Sequence, residues 1–282
     1  MLSTPLAVRE HRVAGHGGCG LHVTEYGPER DTAVVFLHGL SSNGLIWERQ
    51  VAAIAPAQRT VTVDLRGHGR SDEPRDGSYS DPDAWAHDLH AVLTHLGLRS
   101  AILVAWSYAG MVAADYLHRY GSDKIAGAFL VAPLRKIGTA EALDLLGETF
   151  LGLVPGLLST EVDDSLAACK EFVGLCRNDA WPVAEADQRL GAALSVRPDV
   201  RAGMLAREQD NDEVWRGFGK PTTIGYGTAD RIIRPASSSH LTDLMPGAQV
   251  HVYEAAGHTP FLEQPDLFNA DLRTFVDDCL PG

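Results

Sequence analysis

Ser107, Asp230 and His258, in that chain order, have the types and surroundings that suit nucleophilic attack on an acyl carbon. A serine hydroxyl is a weak nucleophile at neutral pH and needs an adjacent base. In such a set His258 would take the serine proton, while Asp230 would hold the imidazole in one tautomer and stabilise the imidazolium. Ser107 lies in Ile102-Leu103-Val104-Ala105-Trp106-Ser107-Tyr108-Ala109-Gly110-Met111. An apolar strand runs into the serine, and a helical pattern follows through Met111, Val112, Ala114, Asp115, Leu117 and His118 until Gly121 stops it. A serine on such a sharp turn has its hydroxyl pushed out at the top of a sheet. The turn crowds the positions two before and two after the serine. Ala105 and Ala109 stand there; glycines are usual, and alanines keep the steric logic. A serine that merely caps a helix is the plainer alternative, and the other two residues weigh against it.

Asp230 follows a strand ending near Tyr226, and His258 follows the strand Gln249–Tyr253. Loops after the C-terminal ends of strands are where α/β sheets build their sites. A fourth part is an anion receptor. In Phe36-Leu37-His38-Gly39-Leu40-Ser41 a strand passes into a glycine-bearing loop whose amides can turn inward. The N–H groups of Leu40 and Tyr108 would donate to a tetrahedral oxyanion, one such donor being worth about 2.7–4 kcal/mol of barrier. His38 reads as a support for this loop rather than a proton carrier. The candidates for pocket lining are His38, Trp47, Trp106 and Phe261, with core packing an equal alternative for Trp106.

Other motifs read as structure. Gly15-His16-Gly17-Gly18-Cys19-Gly20 matches a dinucleotide fingerprint, but the strand-like Leu21–Tyr26 follows it where a helix is required. It reads as a glycine-rich hairpin turn, and no nucleotide is implied. His87 and His90 share a helix face with no further ligand type nearby, so a solvated face is expected rather than a metal. Cys169 and Cys176, seven apart, are expected to pack on one helix face. No metal and no cofactor is expected.

The elements that must position these residues follow from the apolar pattern. Ala33–Leu37, Thr60–Val63, Ala101–Ala105, Ala126–Val131 and Thr222–Tyr226 are continuous apolar runs, as parallel strands buried on both faces require. Asp81-Pro82 opens a helix whose apolar face is Trp85, Leu89, Val92, Leu93 and Leu96. Such alternation predicts an α/β fold with right-handed crossovers. It breaks between about Leu134 and Gly219, where Leu, Ala and Glu dominate and short helices are expected. Residues 1–133 and 220–282 would form the core domain and 134–219 a helical cap.

The 282 residues carry 24 Lys plus Arg against 37 Asp plus Glu, a net charge of −13, which argues against nucleic-acid and membrane-surface partners. With 45% hydrophobic and 22% charged residues, the composition is that of a globular chain with a sizeable core. The four cysteines, Cys19, Cys169, Cys176 and Cys279, are too few for a disulfide scaffold. The start of the chain has neither a basic leader nor an apolar stretch. A soluble, cytoplasmic protein is expected, with homo-oligomerisation left open.

Taken together, the motifs resemble the α/β-hydrolase fold family. The residues that carry the likeness are His38-Gly39, Asp64-Leu65-Arg66-Gly67-His68-Gly69-Arg70-Ser71, Ala105–Gly110, Asp230, and Gly257-His258 followed by Glu263-Gln264-Pro265. They run from about Leu21 to Val276. The resemblance implies an eight-stranded, mostly parallel sheet with the 134–219 insertion over the site. It is nearest to the esterase, lactonase and cofactor-free haloperoxidase (perhydrolase) branch; a serine nucleophile speaks against dehalogenases and epoxide hydrolases. It implies a serine hydrolase acting on an ester, thioester or lactone of a hydrophobic small molecule through an acyl-enzyme. Two alternatives stay open: the same triad used for C–C bond hydrolysis, perhydrolysis or a lyase or cyclase step, and a non-catalytic binding protein. Polyanionic substrates fit the acidic charge poorly unless Arg197, Arg201 and Arg207 form a local basic patch.

Overall fold

Strands buried on both faces have no solvent side to display, and those at the centre of this protein carry almost nothing but Val, Ile, Leu, Phe and Ala. The computed structural model describes residues 6–280; the first five, which fall in the stretch read above as carrying no leader, and the last two lie outside the described residues. In chain order the strands of the main sheet are β1 (Val8–Ala14), β2 (Gly20–Tyr26), β3 (Thr32–Leu37), β4 (Thr60–Val63), β5 (Ser100–Trp106) and β6 (Ile125–Val131), then β9 (Thr222–Gly227) and β10 (Gln249–Tyr253). Between these last two groups, β7 (Lys136–Ile137) and β8 (Gln209–Asp210) make a small antiparallel ribbon of their own. The eight-stranded sheet runs β1-β2-β4-β3-β5-β6-β9-β10. Pairings of β2 with β1 and β4 are antiparallel and the rest parallel. This is the expected eight-stranded, mostly parallel α/β architecture.

Sequence patterning did not reveal β1. It reads Val-Arg-Glu-His-Arg-Val-Ala, and only Val13 is buried, because an edge strand has one half-covered face and no apolar run to announce it. The Gly15–Gly20 segment is the hairpin turn between β1 and β2, as expected.

Helices cover both faces. α1 (Glu48–Ile54), α11 (Pro260–Glu263) and α12 (Pro265–Cys279) pack on one, and α2 (Pro82–His95) and α3 (Ala109–Tyr120) on the other. Asp81 caps α2 by accepting from Asp83 N at 3.0 Å with Pro82 at the first helical position, and Gly121 ends α3 with φ 70°. Between β6 and β9 lie α4 (Ala140–Asp144), α5 (Glu148–Leu157), α6 (Val162–Leu175), α7 (Val183–Ser195), α8 (Pro198–Leu205) and α9 (Asp212–Gly217); α10 (Pro235–Leu244) follows β9. Among the described residues no helix is long and apolar enough to cross a membrane.

Two pocket candidates belong to the core instead. Trp47 and Phe261 are fully buried and stack with ring centroids 4.3 Å apart beneath the sheet, joined by Phe36 and Phe268. Their aromatic surface fills the space between α1, α11 and the sheet, so none is left for a substrate.

Arg66 explains why a charged residue sits in a buried loop. It has no exposed surface; its Nε and Nη2 donate to the two Asp88 oxygens at 2.7 Å each, and Nη1 donates to Ser78 Oγ at 2.6 Å. Asp88 Oδ1 also accepts from His16 N at 2.8 Å, so one pair pins the hairpin turn, the loop after β4 and α2 together. Removing one partner strands the other charge. Asp88→Ala should destabilise the fold by about 3–5 kcal/mol, read from urea denaturation; a loss under about 1 kcal/mol, the worth of an exposed pair, would show that the junction stands without it.

Candidate active site

β5 ends at Trp106 and α3 begins at Ala109, leaving two residues to reverse the chain. Ser107 takes the strain with φ 57°, a region that costs a non-glycine residue about 1–2 kcal/mol. Ser107 N donates to Val131 O at 2.9 Å, and Ser107 O accepts from Leu134 N at 2.9 Å, so the neighbouring β6 and its exit loop hold the turn. Ala105 and Ala109 are completely buried, consistent with crowding at both positions. A third crowded position escaped the sequence reading: a Cβ on Gly110 would lie 2.6 Å from Leu134 O.

His258 Nδ1 lies 2.7 Å from Asp230 Oδ2, both side chains being buried. Asp230 Oδ1 accepts from Ile232 N at 2.8 Å and Ile233 N at 3.0 Å. The carboxylate is thereby aimed at the ring, fixing the proton on Nδ1 and leaving Nε2 as the basic nitrogen. Glu263 secures the same loop: its carboxylate accepts from Gly257 N at 2.9 Å and from Asn178 N at 2.9 Å. Trp106 holds it from the other side, its indole N–H donating to His258 O at 2.9 Å.

The Leu40 loop approaches Ser107 closely, since a Cβ on Gly39 would meet Ser107 Cβ at 3.0 Å. Among the described residues neither Leu40 N nor Tyr108 N donates to a protein acceptor, and Leu40, Tyr108 and Ser107 line one cavity. That cavity has a volume of about 180 Å³. Its walls are apolar: Ile232 and Ile233 from the Asp230 loop, and Leu146, Phe150, Val154 and Phe172 from the segment between β6 and β9.

His38 does not face the cavity, which corrects its place among the pocket candidates. It is fully buried; Nδ1–H donates to Gly39 O at 2.8 Å and Nε2 accepts from Leu65 N at 3.0 Å. His68 repeats the pattern, donating to Arg66 O at 2.9 Å and accepting from Ser41 N at 3.2 Å. The two rings support the loop, as read for His38. Trp106 is buried edge-on to Phe261 and lines a second, smaller cavity.

The basic patch that Arg197, Arg201 and Arg207 could have offered does not form. Arg207 is buried against Asp115 at 2.6 Å, and its Nη1 donates to Tyr108 Oη at 3.1 Å. Arg201 is buried among the carbonyls of Leu157, Ala193 and Val196. Arg197 pairs with Asp199 and Glu73. All three guanidiniums serve the fold, so none is free to attract an anion. On α2, His90 stacks on Tyr120 with centroids 3.9 Å apart, and Cys169 and Cys176 are buried in and just after α6.

The α/β-hydrolase family model matches residues 34–271. The chain belongs to the α/β-hydrolase family. It is 29% identical over 255 residues to a non-heme chloroperoxidase of Kitasatospora aureofaciens, covering 86% of this chain and 92% of that one. A non-heme haloperoxidase of Rhodococcus erythropolis is 28% identical over 278 residues, covering 94% and 98%. Among solved structures, an esterase from Rhodococcus sp. superposes with a TM-score of 0.89 at 33% identity, covering 96% of this chain and 99% of that chain. A bromoperoxidase from Bacillus anthracis, at 21% identity and TM-score 0.84, shares the fold. This α/β-hydrolase is thus an enzyme of the esterase- and haloperoxidase-like class.

Burial holds the two loop histidines neutral, pushing His38 down to about 4 and His68 down to about 3. Unfolded, each titrates near ~6.5. Between these values the unfolded chain binds more protons than the folded one, so stability falls as pH drops below ~6.5. His68→Gln keeps an acceptor for Ser41 N and should show a shallower loss of the urea midpoint between pH 6.5 and 4 than the native chain. An unchanged slope would mean that His68 is not among the groups excluded from protonation.

Proposed function

We propose that this α/β-hydrolase cleaves carboxylic esters, thioesters or lactones of hydrophobic acids through a Ser107 acyl-enzyme. The observation that carries the reading is a strained serine and two residues with unengaged N–H groups on one apolar cavity, with the Asp230–His258 pair in the loop whose Ile232 and Ile233 line the same cavity. Ser107 Oγ attacks the acyl carbon as His258 Nε2 takes its proton, and Asp230 stabilises the resulting imidazolium. The Leu40 and Tyr108 amides receive the oxyanion. The leaving group departs with the proton from His258, and water then attacks the acyl-enzyme by the same route in reverse roles. Every step uses side chains, amides and water alone.

A second reading is perhydrolysis, favoured by the haloperoxidase names of the two relatives. Hydrogen peroxide replaces water in the attack on the acyl-enzyme, releasing a peracid and restoring Ser107. Both readings pass through the same intermediate, so one experiment tests their common core. A fluorophosphonate should label Ser107, and Ser107→Ala should lower kcat by roughly 10³-fold or more while leaving the fold intact. An adduct on Ser41, Ser42 or Ser71 would place the nucleophile elsewhere. Adding hydrogen peroxide to a pre-formed acyl-enzyme, and measuring peracid against acid, then separates hydrolysis from perhydrolysis.

We further propose that the 134–219 segment sets acyl specificity as a cap. Of three residues in it suited to large-to-small tests, Phe150 lines the apolar cavity, Trp181 the smaller one and Leu145 neither. Phe150→Ala should shift the kcat/KM optimum toward longer or bulkier acyl groups by about tenfold, whereas Leu145→Ala should leave the ranking unchanged. Equal rankings in both variants would leave the segment a purely structural cover.

A further inference from the structure

The loops that carry Asp230 and His258 are each fastened to the segment between β6 and β9. On the Asp230 side, Leu146 pairs with Ile233 as an isolated antiparallel bridge. Gly147 N donates to Ile232 O at 3.0 Å, and Arg234 N donates to Leu145 O at 2.9 Å. The same two isoleucines aim the carboxylate, since Ile232 N and Ile233 N donate to Asp230 Oδ1. The short turn that points Asp230 is therefore held on its far side as a strand is held by its neighbour.

On the His258 side the contact is the turn after α6. Asn178 Nδ2 donates to Ala255 O at 2.9 Å, and Cys176 O accepts from Thr259 Oγ1 at 3.0 Å. Ala255 needs such a hold. Its φ of 57° is left-handed backbone in a residue with a side chain, a strained state that persists only where the surroundings impose it. Between these two contacts, Arg177 O accepts from Arg231 Nη2 at 2.9 Å. One turn thus touches both loops.

Two glycines show how close the approach is. Gly147 is the N-cap of α5, where Ser, Thr, Asp or Asn would supply a side-chain acceptor. Its φ of −72° is open to any residue. Yet a Cβ there would lie 1.9 Å from Arg231 O, the carbonyl of the residue after Asp230. A Cβ on Gly257, the residue before His258, would lie 2.8 Å from Asn178 N. The local preference at Gly147 is overridden because the Asp230 loop occupies the space.

We propose that residues 145–147 and 176–178 form a positioning frame for the Asp230–His258 pair, with Gly147 and Asn178 as its positioning residues. The proposal rests on the Ser107 hydrolase reading. Neither Gly147 nor Asn178 lines the apolar cavity, so each acts through the loop it holds. Asp230 must keep its oxygen on His258 Nδ1 while the ring takes and returns the serine proton. Such groups have to be held within about 0.5 Å of their working positions, and a displacement of about 1 Å costs about 10²-fold in rate. A methyl on Gly147 demands a shift of that size, because 1.9 Å must open to at least 3.0 Å. The segment that walls the cavity is thus also part of what aims the base.

Gly147→Ala should lower kcat by about 10²-fold on p-nitrophenyl acetate and p-nitrophenyl hexanoate alike, with KM little changed, because the fault lies in the Asp230–His258 pair and not in the pocket. Asn178→Ala removes one hydrogen bond and should lower kcat on both esters by about tenfold. Gly152→Ala, on the same helix as Gly147 but with open space around its Cβ, is the control and should leave both rates at the native level. Proton NMR supplies a direct reading. The proton on His258 Nδ1, buried and shared with a carboxylate 2.7 Å away, should resonate far downfield of the amides. Gly147→Ala and Asn178→Ala should shift or broaden that resonance, and Gly152→Ala should not. Native kcat in either folded variant, a kcat loss with the resonance unmoved, or unequal losses on the two esters would overturn the frame. If Gly147→Ala fails to fold, Asn178→Ala decides by the same readings. A native chain that turns over neither ester and takes no fluorophosphonate on Ser107 would remove the hydrolase reading, whereas the resonance needs no substrate and decides the frame separately.

Discussion

The turn at Ser107 is the constraint from which the rest of the site hangs. A non-glycine residue held at φ 57° must be compensated by its surroundings, and here the compensation is topological. β5 is hydrogen-bonded on both sides, by β3 and β6, and α3 leaves the turn with its first residues wedged against the Pro133-Leu134 backbone. Once that geometry is imposed, three consecutive residues acquire three tasks. Trp106 reaches across to the His258 loop, Ser107 lines the cavity, and Tyr108 lines it at the start of a helix, where the dipole favours negative charge.

The segment between β6 and β9 is tied to this turn by buried polar bonds rather than by apolar packing alone. Tyr108 Oη donates to Met204 O at 3.1 Å and accepts from Arg207, and Arg207 in turn grips Asp115 on α3. A buried ion pair contributes little unless its remaining hydrogen-bonding capacity is filled. Gln209 fills part of it by donating to Asp115 Oδ1 at 2.8 Å. Among the described residues Arg201 meets no carboxylate, and it is held by carbonyls at the ends of α5 and α7, where the helix dipoles are negative. The walls of the apolar cavity are therefore fixed relative to α3 by directional contacts.

The Leu40 loop is held by a different means. Two buried neutral imidazoles, each with Nδ1–H on a carbonyl and Nε2 under an amide, stand 5.1 Å apart and brace it from below. Burial is what makes this work: a protonated ring would lose its acceptor nitrogen and release the amide it holds. The neutral state that burial enforces is the state that supports the loop.

The α/β architecture, the tight strand-to-helix turn at Ser107 and the placing of Asp230 and His258 in loops after strands were legible in the sequence because each follows from local pattern. Continuous apolar runs mark buried parallel strands, small residues mark a crowded turn, and a loop after a strand marks the site edge. The charged edge strand β1 was not legible, since it carries no apolar period. Neither were the fates of Trp47, Phe261, His38 and the three arginines, because residue type does not say which side of a sheet a side chain will meet. Aromatics read as pocket lining became core, and two of the arginines that could have made a basic patch became buried ties. Sequence marked which residues are candidates for the chemistry, a matter of residue type within a few neighbours. Which spaces surround those residues was decided by contacts between segments far apart in the chain, and these exist only once the fold is complete.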